Sequence, residues 1–258
     1  MLITIEGADG VGKSSFAAAL VDTLRTSAIA GQLWKTHYGA EHCDAQLLKF
    51  PRYDTPTGQR IREYLAGDAN EVSPMQACEL YAMDRLAARD ELCRAKLSVM
   101  PLIIDRYVES NVAHQMARVG APAEHPAPLD HGHAAMLRRM YEREYIDNAL
   151  PYPDVIFYLK CDPALSRAAL TDRDTPDHHE AHEDYQTRVH AWYERIMNPF
   201  RSEPLQLPPG LHIRHEHTGK LSERSGVRAT PRELAEAAAE KLLPILVSMR
   251  PAARVAFF

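Results

Sequence analysis

The chain has 258 residues, 45% of them hydrophobic and 25% charged, with a formal net charge of -5. That is ample apolar material for a buried core, and the acidic balance argues against a protein built to coat nucleic acid. No apolar run reaches the roughly eighteen residues of a membrane span, and the opening Met1-Leu2-Ile3-Thr4-Ile5-Glu6 lacks the basic region of a signal peptide.

Leu2–Glu6 reads as a short buried strand, and residues 7 to 12 as a glycine-rich turn. Residues 14 to 26 carry Phe16, Leu20, Val21 and Leu24 at helical spacing. Residues 33 to 38 predict a second strand and 57 to 65 a short helix. Ser73-Pro74-Met75-Gln76 is a helix start: serine caps, proline suits the first turn, and Gln76 completes a capping box. That helix is expected to run to about residue 97.

Residues 99 to 105 form an apolar strand ending in an acid, and 108 to 118 a helix. Residues 120 to 132 contain three prolines and read as a surface loop. Helix returns over 133 to 149, and strand over 155 to 160. Two helices, 163 to 170 and 181 to 197, flank a polar connection. A last strand is expected at 211 to 215. Thr230-Pro231-Arg232-Glu233 forms a second capping box opening a helix to about residue 247. The polar stretch 218 to 229 and the tail from residue 250 read as loosely held. Strands alternating with helices predict an α/β three-layer sandwich, a parallel sheet of about five strands with helices on both faces. Cys43, Cys78, Cys93 and Cys161 form no C-x-x-C pair, so neither zinc nor a redox motif is indicated. They read as free, small buried residues of a reducing compartment.

Gly7-Ala8-Asp9-Gly10-Val11-Gly12-Lys13-Ser14 satisfies G-x-x-x-x-G-K-[ST], and the site extends to Ser15. Glycines let backbone N–H groups turn toward phosphate oxygens, and the following helix presents its positive end to the same anion. Lys13 adds a full charge, and the Ser14 hydroxyl is placed to ligate Mg²⁺. A strand before the motif and a helix after it supply the required context, so the motif marks a nucleoside triphosphate site. GTPases carry an N-K-x-D base-reading motif, and none is present. A small kinase remains. Asp105-Arg106-Tyr107 ends the strand 99 to 105, where an acid faces the ligand crevice of an open α/β sheet. Asp105 suits metal orientation there, and Arg106 suits phosphate.

The order of these motifs carries a resemblance. The loop with Asp9, Phe50-Pro51-Arg52-Tyr53, Tyr81-Ala82-Met83-Asp84-Arg85, Asp105-Arg106-Tyr107-Val108-Glu109-Ser110-Asn111 and a lid-like region at about 167 to 185 are together similar to the thymidylate kinase family. The resemblance implies one P-loop kinase domain over residues 1 to 258, with an insertion at about 119 to 133. It implies transfer of the γ-phosphoryl group of ATP to dTMP, with Mg²⁺, in a cytoplasmic homodimer that engages neither nucleic-acid polymer nor membrane. Asp9 would approach the acceptor sugar 3′-hydroxyl and the metal region. Phe50 and Tyr81 would pack on the base, Arg85 would read a base carbonyl, and Ser110 and Asn111 would complete the pocket. Arg52 and Arg106 would hold the acceptor phosphate, and His114 would lie near the sugar 2′ position. Lid arginines Arg167 and Arg173 would close over the phosphates, with Ser14 and Asp105 on the metal.

Lys160 stands where family members often show an acid, which leaves a modified pyrimidine deoxynucleotide as an acceptor to consider. A deoxynucleoside kinase is the second alternative, with Glu6 or Asp105 as base. A nucleotide-binding regulatory protein is the third. His178, His179 and His182 lie among acids and read as a polar lid segment rather than a metal site.

Overall fold

The structure is a computed structural model, and it describes residues 1–67, 72–122, 129–164, 166, 183–197, 215–217 and 230–248. Its centre is strand β1 (Leu2–Glu6), in which every residue is buried. Strands β2 (Gln46–Lys49), β3 (Leu102–Asp105), β4 (Val155–Tyr158) and β5 (His215–His217) complete a parallel sheet in the order β2-β3-β1-β4-β5. Connections that run to opposite sides of β1 open a crevice at the C-terminal ends of the central strands.

Strand residues alternate between two cores. Ile3, Ile5, Ile103, Val155 and Phe157 pack with helix α1 (Lys13–Thr26), helix α2 (Ala28–Tyr38) and the C-terminal helix Pro231–Ser248. Leu2, Leu102, Ile104, Ile156 and Tyr158 face the other way. They pack among residues of α4 (Pro74–Leu86), α5 (Arg89–Leu97), α6 (Val108–Val119), α7 (His131–Tyr141) and α8 (Glu183–Met197), while α3 (Pro56–Leu65) lies against α4. The C-terminal helix, here α9, follows the second capping box: Glu233 N–H donates to Thr230 Oγ1 at 3.3 Å, and Thr230 N–H to Glu233 Oε2 at 2.7 Å. The box at Ser73 and Gln76 is likewise formed at both ends.

Several expected elements differ. Residues 33 to 38 are helical: Ala30 and Trp34, four apart, are buried, Ser27 caps Ala30 N–H, and Gly39 ends the helix at φ 67°. The second strand is instead the mostly exposed Gln46–Lys49, an edge strand whose polar flanks hide its periodicity. The helix expected over 73 to 97 breaks at Ala87 and Ala88 into α4 and α5. The helix expected over 133 to 149 starts at His131, capped by Asp130, and its last part, Glu142–Asp147, is π-helical. The last strand is His215–His217; residues 211–214 lie outside the described residues, as do the stretch 218–229, the tail from 250 and most of 163–170. Cys43 and Cys78 are buried, but Cys93 and Cys161 are partly exposed. Among the described residues, no helix is long and apolar enough to cross a membrane.

Candidate active site

The phosphate loop joins β1 to α1. Gly7 has φ 147°, and a Cβ there would meet Leu159 O at 2.7 Å, so the turn fits against β4 only as glycine. Gly12 ends the loop in the left-handed region, and α1 begins with no side-chain cap, leaving its first N–H groups to a ligand. Lys13 is buried, and its ammonium donates to Gly7 O at 2.8 Å and Ala8 O at 2.5 Å. Burial, with repulsion from Arg106, pulls this lysine down to about 7 against the attraction of Asp9, Asp105 and Glu6. Ala8 is buried, Val11 is half-buried, and Ser14 and Ser15 are exposed on the first turn of α1.

Ser14 Oγ donates to Asp105 Oδ2 at 2.5 Å, while Asp105 Oδ1 is buried without a partner. A hydroxyl beside a carboxylate with an unused oxygen fits a hard divalent cation. Lys49, at the end of β2, stands 3.2 Å from Ser14 Oγ and 3.7 Å from Asp105 Oδ2.

A cavity of about 210 Å³ opens beside this loop. It brings together Asp9, Phe50, Tyr81, Arg85, Arg106, Ser110, Asn111 and His114, eight residues expected from the sequence. Arg106 follows β3 in a left-handed backbone conformation, and its Nη2 donates to Asp9 Oδ1. Burial opposes ionisation of Asp9, but Arg106, His114 and Lys13 outweigh it and hold the carboxyl well below its usual range. His114 Nε2 lies 3.7 Å from Asp9 Oδ2, and its Nδ1 lies 2.9 Å from the hydroxyl of Tyr185.

The floor of the cavity is a buried polar cluster. Arg85, 2% exposed, donates through Nε and Nη2 to Glu144, and this partner raises the guanidinium further despite the cost of burial. Asn111 Nδ2 donates to Glu144 Oε1 at 2.9 Å and Cys78 O at 3.0 Å, which fixes the amide and leaves Oδ1 as a buried, unpartnered acceptor. Tyr81 meets the Tyr64 ring edge-on at 6.4 Å, and both line the cavity.

Arg52 does not join them. Its Nη2 donates to Asp84 O at 2.7 Å and its backbone N–H to Asp84 Oδ2 at 2.8 Å, so the buried Asp84 is its partner, with the guanidinium 5.7 Å from the ring of Phe50 at the cavity's edge. Lys49, one residue before the quoted Phe50-Pro51 motif, lines the cavity in its place. Glu144, Tyr64 and Tyr185 were also missed. Glu144 is 59 residues from Arg85 and sits in a π-helical turn that no simple periodicity announces. Arg167, Arg173, His178, His179 and His182 lie outside the described residues, as do 123–128 of the insertion. Lys160 donates to Glu194 Oε2 at 2.7 Å.

A parallel sheet with a lysine-bearing phosphate loop, and a cationic, aromatic cavity next to it, defines a P-loop protein of the phosphoryl-transfer class. A family model described as Thymidylate kinase matches residues 5–124. A probable thymidylate kinase of Archaeoglobus fulgidus is 28% identical over 174 residues, 67% of this chain and 70% of that one. The thymidylate kinases of Chlorobium chlorochromatii and Schizosaccharomyces pombe are 26% and 27% identical; the matches cover 81% and 80% of this chain, and 83% and 80% of theirs. The solved thymidylate kinase of Candida albicans superposes with a TM-score of 0.56 at 20% identity, over 94% of this chain and 90% of that one. The chain is thus similar to the thymidylate kinase family, through its model over residues 5–124 and through relatives matched over most of the chain.

Proposed function

We propose that this protein transfers the γ-phosphoryl group of ATP to dTMP, giving dTDP and ADP, as one cytoplasmic P-loop kinase domain that works as a homodimer. The observation that carries this reading is the placement of Arg106 and Lys49. Both line an aromatic cavity that also contains Asp9, and the same Asp9 reaches Arg106 and stands 3.9 Å from Lys13. Two cations beside the phosphate loop suit an acceptor that is already an anion.

Phosphoryl transfer needs alignment and cations more than covalent help. The phosphate loop and Lys13 would hold the β- and γ-phosphates of ATP, while Arg106 and Lys49 hold the acceptor phosphate. Its oxygen is anionic, so no general base is required. Mg²⁺, held at Ser14 and Asp105, would neutralise charge on the ATP phosphates. Arg167 or Arg173 from the lid would add a cation over the transferring group and exclude water.

The cavity favours a base with an N3–H group. Asn111 lines the cavity, its Nδ2 is bound to Glu144 and Cys78, and its buried Oδ1 is the acceptor left for a ligand that displaces its neighbours. Thymine and uracil donate at N3, whereas cytosine accepts there and would leave two acceptors facing each other. The deoxynucleoside kinase alternative needs a carboxylate base near a hydroxyl. Glu6 is fully buried and does not line the cavity, and Asp105 Oδ2 is occupied by Ser14. Turnover with ATP-Mg²⁺ is measured against dTMP, dUMP, dCMP, UMP and thymidine. The expected order places dTMP first and dCMP at least about 1,000-fold below it in kcat/KM. Phosphorylation of thymidine without turnover of dTMP removes the reading, and ATP binding without any turnover favours a regulatory protein.

A further inference from the structure

Arg106 has φ 69°, a region that a non-glycine residue occupies only where its surroundings impose it. Here β1 imposes it from both sides. Arg106 N–H donates to Ile5 O at 3.1 Å, and the next amide, Tyr107 N–H, donates to Glu6 Oε1 at 2.7 Å. Helix α6 follows directly and has no side-chain cap of its own. Glu6 supplies an acceptor there from a neighbouring strand, where an anion is favoured by the helix end.

The second oxygen of Glu6 accepts from Ser110 Oγ at 2.5 Å and from the Tyr193 hydroxyl at 3.3 Å. One carboxylate thus joins the end of β1, the start of α6 and helix α8. Glu109 lies nearby, also fully buried, with Oε2 unpartnered and Oε1 accepting only from Tyr145 at 3.1 Å. Burial and the neighbouring Glu6 lift Glu109 to about 8, and burial raises Glu6 as well, against the hydrogen bonds from Ser110 and the Tyr107 amide.

We propose that Glu6 is a positioning residue for phosphoryl transfer: by accepting the Tyr107 amide it holds Arg106 in its left-handed backbone conformation and so aims the guanidinium at the acceptor phosphate. The inference rests on the phosphate-holding role given to Arg106 above. Glu6 is absent from the cavity lining, so it acts through the backbone and not by touching substrate.

The test compares E6M, which keeps the length and loses both acceptors, with E6Q, which keeps one oxygen for Tyr107. KM values for dTMP and ATP are measured separately. E6M is expected to raise the KM for dTMP at least about tenfold and leave that for ATP within about twofold, because misplacement of one positioning group acts on its own ligand. E6Q is expected to restore the KM for dTMP to within about threefold of wild type. Equal changes in both KM values, an unchanged KM for dTMP in E6M, or an E6Q variant as impaired as E6M overturns the proposal. Should E6M fail to fold, E6D takes its place with the same expectations, since its carboxylate falls one methylene short of the amide. Wild-type turnover of dTMP is measured first, because its absence defeats the proposed function alone. A crystal structure of E6M or E6D then decides the clamp: φ of Arg106 is expected to leave the left-handed region, and a value still near 69° overturns it.

Discussion

The phosphate loop and the acceptor cavity lie side by side but take their shapes from different parts of the chain. The loop is main chain: glycine conformations, the uncapped start of α1 and the Lys13 ammonium resting on two carbonyl oxygens. The cavity is side chain: Arg85 with Glu144, Asn111 anchored on the same Glu144, and Arg106 with Asp9. A loop built from backbone tolerates changes in its neighbours and grips any polyphosphate. A cavity built from interlocked charges discriminates between ligands, and loses shape when one member is removed.

The largest test of that contrast is E144A. It leaves Arg85 charged and buried with no carboxylate, which costs about 3–5 kcal/mol of stability. Urea denaturation should show that loss, and the KM for dTMP should rise while ATP binding persists. A cost below about 1 kcal/mol would mean that Arg85 finds water or another partner and the cavity is softer than its ion pairs suggest.

A smaller effect sharpens the loop side. Lys13 sits near 7 in the free protein, and bound phosphates favour its charged form. ATP binding above that pH should therefore take up a proton, and affinity should fall by up to about tenfold per pH unit as pH rises beyond 7. Calorimetry at pH 8 in Tris and in HEPES, which differ in ionisation enthalpy, measures the uptake. Equal binding enthalpies in the two buffers would show that the lysine is already charged.

The smallest expected effect belongs to the floor between the two regions. Glu109 is raised from 4.5 to about 8, so the folded state binds more protons than the unfolded state in that window. Its contribution therefore makes stability fall as pH rises from about 4.5 to 8, with a slope of up to one proton. Above about 7 the depressed Lys13 acts in the opposite sense, because there the unfolded chain binds the extra proton. The Tm difference between E109Q and wild type isolates the glutamate, and it should grow in favour of E109Q toward pH 8. Glu6, Tyr145, Tyr141 and Arg85 surround the same carboxyl, and a flat difference would show that they absorb the charge.

The same contrast explains which parts of the molecule were legible in the sequence. A loop made of local conformation writes itself as consecutive letters, so Gly7 to Ser15 could be read directly. Central strands with every residue buried, such as β1 and β3, show as apolar runs. The edge strand Gln46–Lys49 has no such run and is not expected from the sequence, while the preceding helix α2 buries only Ala30 and Trp34, so residues 33 to 38 read as the second strand. Side-chain partnerships between distant positions leave no local trace. The family resemblance puts Arg52 on the acceptor phosphate, and only the fold shows that the buried Asp84 partners it. Lys49 and Glu144 acquire their roles from placement alone.

The pairing of β2 with β3 sets Lys49 opposite Asp105, one residue before Arg106. Arg106 leaves β3 directly after the last rung, so the two candidate acceptor-phosphate cations stand at one end of this ladder, and the fixed gap between parallel strands serves as their gauge. A slip of one residue in that ladder would turn Lys49 to the opposite face and bring Leu48 or Phe50 to its rung. Variants that loosen this outer edge should therefore widen the range of monophosphates accepted before they weaken the grip on ATP.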